Sequence, residues 1–277
     1  MLIETDQCLK MEEDFLPFLS KETSPDFHAQ FRRVDQLPTI PDEVVHEDAC
    51  YRVHRHGNGG YLRSFFDPPR DMTPYAVANY DYDRGKIQID YLEKGAHCVS
   101  ELHNSFFHLG FEALLIHRRR LCLHAACVQT PLGGILFSGP SGIGKSTQAE
   151  LWCRHRGARQ INGDRPILSK GETGWLAWGS PYAGSSRCHI NASCPVTAIV
   201  MLRQAKTCEL RRLTLPEAFR AVWSGLTVHT WDEALVTAAC DLAMELIGTV
   251  PVFEFSCTPD EQAVDYLERR LREECSL

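Results

Sequence analysis

No apolar run in this chain approaches the about 18 consecutive residues that carry a helix across a bilayer, and no transmembrane helix is expected. The first residues, Met1-Leu2-Ile3-Glu4-Thr5-Asp6, lack the basic segment and apolar core of a secretory signal. Disulfides belong to oxidising compartments, so the 12 cysteines read as reduced thiols and the protein as cytoplasmic. No C-x-x-C occurs. The nearest pairs, Cys122/Cys127 and Cys188/Cys194, have no histidine at metal-site spacing, and a structural zinc site is not expected. Basic charge is in deficit: 29 Lys and Arg against 36 Asp and Glu leave a net charge of −7, which argues against nucleic acid or an anionic membrane as partner. The densest basic cluster, Arg118-Arg119-Arg120, follows a helical pattern and reads as a solvated helix end. There is no internal repeat and no low-complexity segment.

What remains is an ordinary globular composition, 44% hydrophobic over 277 residues, enough for one large domain or two smaller ones. Residues 1–45 are acidic and carry Pro17, Pro25, Pro38 and Pro41. Short helices are the reading for 11–19 and 27–34, and this is the least ordered or most accessory part. From Val44 strands dominate. Segments 49–54 and 61–66 flank the turn His56-Gly57-Asn58-Gly59-Gly60, and segments 75–82 and 86–92 flank Asp83-Arg84-Gly85, two hairpins in sequence. Residues 1–95 are therefore expected to form a small antiparallel, strand-rich accessory domain that could bind an acceptor, with 96–277 as the main domain. Residues 101–117 read as a helix, with Leu102, Phe106, Leu109, Ala113 and Ile116 at three- and four-residue spacing.

Residues 121–130 read as one strand that turns through 131–134 into the apolar strand 134–138. An antiparallel strand at that point departs from a pure βαβ nucleotide-binding fold, in which a crossover helix would intervene. Beyond it come a helix from 145 to about 155 closed by Gly157, a strand at 159–162, and a hairpin of 166–169 with 175–180. Strands follow at 196–202, 209–213 and 252–257. Three helix starts carry threonine three residues before glutamate: Thr214/Glu217, Thr230/Glu233, and Thr258/Glu261 with Pro259 at the first helical position. The expected fold class is α/β with a mixed central sheet.

Chemistry concentrates at Gly139-Pro140-Ser141-Gly142-Ile143-Gly144-Lys145-Ser146-Thr147, which fits G-x-x-x-x-G-K-[ST] between a buried strand and a helix. Glycines let successive backbone N–H groups turn toward phosphate oxygens, and the helix N-terminus adds partial positive charge. A glycine-rich turn alone would need neither the lysine nor the hydroxyl. Gly139, Ser141, Gly142, Ile143, Gly144, Lys145, Ser146 and Thr147 are the expected nucleotide-binding residues, with Lys145 reaching the β and γ phosphates of ATP and the Ser146 hydroxyl on Mg²⁺. Asp164, 18 residues beyond Ser146, is the candidate second metal ligand, with Asn162 and Arg165 placed to orient it; its plain alternative is a turn aspartate beside Gly163.

His124 interrupts an apolar stretch. It is read either as a satisfied core histidine or as an imidazole near the γ-phosphate that handles the proton of an attacking hydroxyl. The small-residue run 179–187 fits a segment that closes over a phosphorylated centre, or a surface turn. Arg187 and Arg203, with Arg165 third, are the candidate cations for charge on the transferred group, each against the alternative of a surface ion pair.

In order along the chain, Leu123-His124-Ala125-Ala126, the 136–147 strand and loop, Ile161-Asn162-Gly163-Asp164-Arg165 and the 179–186 run resemble the HPr kinase and phosphoenolpyruvate carboxykinase superfamily, over roughly residues 95 to 260. The similarity is greatest to the small kinases of bacterial peptide-modification clusters. The resemblance implies an HPr kinase-like fold and an ATP- and Mg²⁺-dependent transfer to an alcohol, most directly serine of a peptide or small protein. A small-molecule alcohol such as free serine or a sugar, and a nucleotide-controlled binding module with slow hydrolysis, stay open beside it. Homo-oligomers are common among such relatives, so assembly is an expectation from the resemblance. HPr kinases usually carry two adjacent aspartates where this chain has Gly163-Asp164. One carboxylate is then left for two jobs, with Asp164 serving the metal and His124 or another acid serving as base. No match to the HPr-docking segment is found.

Overall fold

The computed structural model describes residues 1–275 apart from Cys8, Glu22, Thr23, Gly57, Asn58, Gly59, Pro69 and Ala183. The chain divides into two compact units, Met1–Leu114 and Leu115–Leu277. Each holds a mixed sheet with helices, so the class is mixed α/β.

The first sheet has seven strands: β1 (Leu2–Thr5), β2 (His28–Arg33), β3 (Val44–Glu47), β4 (Tyr51–His56), β5 (Gly60–Asp67), β6 (Asp71–Asp81) and β7 (Lys86–Tyr91). Their order is β1-β2-β7-β6-β5-β4-β3. Both expected hairpins form, with Tyr51 opposite Phe65 and Tyr80 opposite Ile87, although the 57–59 turn lies outside the described residues. The expectation of a wholly antiparallel region is corrected, because β1, β2 and β7 run parallel. Residues 27–34, read as helical, are instead largely the interior strand β2. Phe27, Ala29 and Phe31 alternate into the core at period two, and a strand rather than a helix satisfies that spacing. Residues 1–45 are thus integral, and Phe15, in a 3₁₀ helix over Glu13–Phe18, packs on Phe106 with ring centroids 5.1 Å apart.

The division falls at 114/115 rather than 95/96 because helices follow the sheet within the same unit: α1 (Ala96–Val99), α2 (Leu102–Leu109) and the start of α3 (Phe111–His117). Val99, Leu109 and Leu114 share one core with Phe31, Phe65, Ile89 and Tyr91. The single helix expected over 101–117 is broken, since Gly110 adopts φ 59 and ends α2 in the left-handed region.

The second sheet joins β8 (Arg120–Cys122), β9 (Ala125–Thr130), β10 (Gly133–Ser138), β11 (Arg159–Asn162), β12 (Ile167–Lys170), β13 (Trp175–Trp178), β14 (Ser193–Gln204), β15 (Glu209–Arg212) and β16 (Val252–Cys257). The strand expected over 121–130 is two strands. Leu121 of β8 pairs with Leu168 of β12, whereas β9 pairs with β10 and β11, so the chain changes partners at Leu123 and His124. β9 and β10 are antiparallel, and β10, β14 and β16 are parallel.

Helices α4 (Lys145–Arg156) and α7 (Glu261–Glu274) cover one face, where Val128, Ile135, Phe137, Val200, Phe253 and Phe255 meet Trp152, Val264 and Leu267. Helices α5 (Leu215–Trp223) and α6 (Glu233–Thr249) pack on one another, and α6 also packs on β8. Thr214 and Glu217 form the expected capping box of α5. The other two expected caps are displaced by nearer carboxylates: Asp232 accepts from the Leu235 N–H at 3.1 Å, and Asp260 from the Ala263 N–H at 3.2 Å. No helix among the described residues is long and apolar enough to cross a membrane.

Phe253 is fully buried at the centre of this core. Phe253→Ala is expected to destabilise the second unit by about 3–5 kcal/mol, read as a shift of its urea unfolding midpoint.

Candidate functional site

β10 ends at Ser138, and the chain turns through 139–144 into α4. Gly142 and Gly144 take φ 77 and 113, values that a residue with a β-carbon adopts only under strain. Gly144 precedes the helix and offers no side-chain cap, and the first turn holds no carboxylate. The opening N–H groups of α4 and its positive dipole end are therefore left for an anion.

Lys145 is 9% exposed, and its Nζ folds back to donate to the carbonyls of Gly139 at 3.0 Å and Pro140 at 3.1 Å. Burial lowers its pKa, partly offset by Asp164. The rear of the loop is braced by Gln204 at the end of β14, whose Nε2 donates to the Gly142 and Ile143 carbonyls at 3.4 and 3.5 Å. No sequence pattern marks that glutamine.

His124 comes to the loop through the partner change in the chain. Its N–H donates to the Gly225 carbonyl at 2.8 Å, the next N–H, of Ala125, donates to the Asp164 carbonyl at 2.9 Å, and Ser138 Oγ donates to the His124 carbonyl at 2.8 Å. These bonds set the His124 Nε2 3.3 Å from Asp164 Oδ1. Burial depresses the His124 pKa, Lys145 and Arg165 push the same way, and Asp164 opposes them. The imidazole is accordingly neutral around pH 7, and its partial burial is not that of a core residue.

Asp164 is held by Asn162, which is fully buried at the end of β11. The Asn162 Oδ1 accepts from the N–H groups of Asp164 at 2.9 Å and Arg165 at 2.7 Å. Its Nδ2 donates to the carbonyls of Ser180 at 3.0 Å and Tyr182 at 3.1 Å. One amide thus fixes both the turn that carries the carboxylate and the start of the 179–187 segment. That segment then passes directly against Asp164, since a β-carbon on Gly184 would lie 2.8 Å from the Asp164 Cβ. Ala183 of the segment lies outside the described residues.

His124, Ser141, Lys145, Ser146, Thr147 and Asp164 face one polar cavity of about 260 Å³. A second cavity of about 340 Å³ shares Gly142, Gly144 and Thr147 with it and is otherwise walled by groups that include Ile143, Leu202, Cys257 and Pro259. Gly139 supplies a carbonyl to Lys145 from the base of the loop and does not line either cavity. The expected cations are less concentrated. Arg187 is exposed with φ 50, Arg203 pairs with Glu254 at 3.4 Å, and neither is among the lining residues. Arg165 lies nearer, its Nε 3.6 Å from Asp164 Oδ2 and its Nη1 donating to Thr227 Oγ1 at 2.5 Å. The arrangement can accept an anion at the start of α4, hold a hard cation between the Ser146 hydroxyl and the Asp164 carboxylate, and take up a proton at His124.

No protein-family model and no curated protein matches the chain. Among solved structures, the Hpr(Ser) kinase/phosphatase from Coxiella burnetii is similar over 56% of this chain and 99% of its own, at 13% identity and a TM-score of 0.35.

Asn162→Ala takes the partner from two half-buried N–H groups and two carbonyls, and is expected to cost about 2–3 kcal/mol in chemical denaturation. Gly184→Ala places a β-carbon at φ 59 and 2.8 Å from the Asp164 Cβ, and is expected to cost about 1–2 kcal/mol while displacing the segment from Asp164; a changed protease-cleavage pattern confined to 179–187 checks it.

Proposed function

We propose that the protein is an ATP- and Mg²⁺-dependent kinase that transfers the γ-phosphoryl group to a hydroxyl, with serine of a peptide or small protein as the acceptor. The observation that carries the reading is the convergence of Lys145, Ser146, Asp164 and His124 on one polar cavity at the uncapped start of α4. The choice of serine rests on the motif resemblance. The phosphates lie along the 139–147 loop, and the less polar cavity bordered by Ile143, Leu202 and Pro259 is the seat of the nucleoside.

Lys145 exchanges its two backbone carbonyls for phosphate oxygens and stays charged there. Ser146 Oγ and an Asp164 oxygen form the all-oxygen donor set that suits Mg²⁺, which when bound neutralises charge on the phosphoryl oxygens. His124, neutral and beside Asp164, accepts the proton of the acceptor hydroxyl. That oxygen forms the new bond to the γ-phosphorus as the bond from phosphorus to the β–γ bridging oxygen breaks. ADP leaves with the bridging oxygen, and Asp164 stabilises the imidazolium left behind. Arg165, beside Asp164, is a third source of positive charge, while Arg187 and Arg203 do not line the cavity.

Gly163 leaves Asp164 as the only carboxylate lining this cavity among the described residues, and that favours a second reading, a nucleotide-controlled binding module with slow hydrolysis. Incubating the protein with Mg²⁺ and γ-labelled ATP, with peptide and metabolite pools, separates the two. Label on a peptide serine supports the proposal; label on a metabolite moves the acceptor to a small-molecule alcohol. Tight ATP binding with no transfer to any pool would falsify the kinase reading in favour of the module.

Lys145→Ala and Asp164→Asn are each expected to lower transfer about 10²- to 10³-fold. His124→Gln should lower kcat about 10²-fold or more while leaving ATP affinity close to the parent's. Because the His124 pKa is depressed, the base is deprotonated throughout neutral pH. The acid limb of kcat/KM, which reports the free protein, should therefore fall below the ordinary histidine value of about 6.5, and His124→Gln should abolish it.

A further inference from the structure

Far from the 139–147 loop in sequence, the first unit gathers three side chains of different chemistry. Asp67 closes β5, and His97 and Cys98 are neighbours on α1. His97 Nε2 lies 3.1 Å from Asp67 Oδ2 and 3.3 Å from Cys98 Sγ, and the three donor atoms all lie within 4.8 Å of one another. Zn²⁺ bonds of about 2.0–2.3 Å at tetrahedral angles would hold such N, O and S atoms about 3.4–3.6 Å apart, a few tenths of an ångström from the two His97 distances.

The contacts at His97 Nε2 cannot all be satisfied as hydrogen bonds. Asp67 requires the nitrogen to donate. Arg70 Nη1, 3.4 Å away, requires it to accept, and the Cys98 thiol competes for the same position. A neutral ring nitrogen is either donor or acceptor, so at least one of these groups is poorly served. A cation bound by all three would resolve the conflict, because carboxylate, thiolate and imidazole nitrogen would each serve it as an electron-pair donor. Arg70 opposes such a cation, but its side chain is 74% exposed and 3.6 Å from Asp67, free to turn into solvent.

We propose that Asp67, His97 and Cys98 form a three-ligand site for Zn²⁺ or a similar borderline divalent cation. Its fourth position opens to a cavity of about 620 Å³ that Cys50, Tyr75 and His103 also line, so water or a donor atom of a bound ligand completes the coordination. A cysteine thiol without a metal is largely protonated at neutral pH. Forming the metal–sulfur bond therefore breaks the S–H bond and releases one proton to solvent.

The test uses the full chain, reduced and stripped of metal, titrated with Co²⁺ and then back-titrated with Zn²⁺. The expected result is a thiolate-to-cobalt charge-transfer band that saturates at one equivalent, release of one proton per metal in weak buffer, and displacement by Zn²⁺. His97→Ala and Cys98→Ser should each weaken binding at least tenfold and lose the band. Arg70→Ala should keep or tighten binding, and Cys275→Ser, in the other unit, should leave it unchanged. Cys98→Ser preserves side-chain shape, and circular dichroism confirms that the variants remain folded. No saturable band in the parent, or a band undiminished in either His97→Ala or Cys98→Ser, overturns the proposal.

Discussion

Much of the second unit's site hangs on one buried amide. Asn162 has acceptors on one side and donors on the other, and its two ends match them in only one orientation: the oxygen takes the Asp164 and Arg165 N–H groups, and the nitrogen serves the Ser180 and Tyr182 carbonyls. An aspartate could satisfy the first set and not the second; a leucine could satisfy neither. Because the residue is fully buried, water cannot substitute for the missing partners, so the turn bearing Asp164 and the segment crossing it are fixed together or not at all.

The other half of the site depends on a change of partners. β8 is committed to β12 and β9 to β10 and β11, and the two residues between them cannot continue either ladder. Their N–H groups are taken by Pro166 and Gly225 instead. This freedom from the regular ladder lets a polar ring appear in an otherwise apolar stretch, because His124 sits where neither strand demands a hydrophobic side chain. The same stitching, continued by the Ala125 N–H to the Asp164 carbonyl, brings imidazole and carboxylate into contact although they are 40 residues apart.

Features governed by local chemistry were legible in the sequence. The Asp83-Arg84-Gly85 turn, the 139–147 loop, α4 with Gly157 at its end, and the Thr214/Glu217 box all follow from neighbours within a few residues, and all form. Features that need a distant partner were not legible. β2 carries only two inward apolar residues, Ala29 and Phe31, and its parallel neighbour β7 lies beyond four intervening strands, so a short helix fitted it equally well. Gly110 could be tolerated within a helix or could end it, and the packing of Tyr82 and Arg63 around it decides. Spacing rules for cysteine and histidine also missed Asp67, His97 and Cys98, because 30 residues separate the carboxylate from the imidazole and the strand-to-helix fold alone unites them. Within the candidate site, residue types marked Lys145, Ser146 and Asp164, whereas the bracing by Gln204 and the reach of Asn162 to residues 180–182 exist only in three dimensions.

Lys145 does not wait in solvent but rests on the carbonyls of Gly139 and Pro140, the loop it serves. Any incoming molecule must outbid two neutral oxygens already in place. A nucleoside brings nothing that competes with them, and a single weak anion little more, whereas a polyphosphate offers full negative charge at several adjacent positions. The resting lysine would therefore act as a threshold, ranking anions that reach the loop by their charge density.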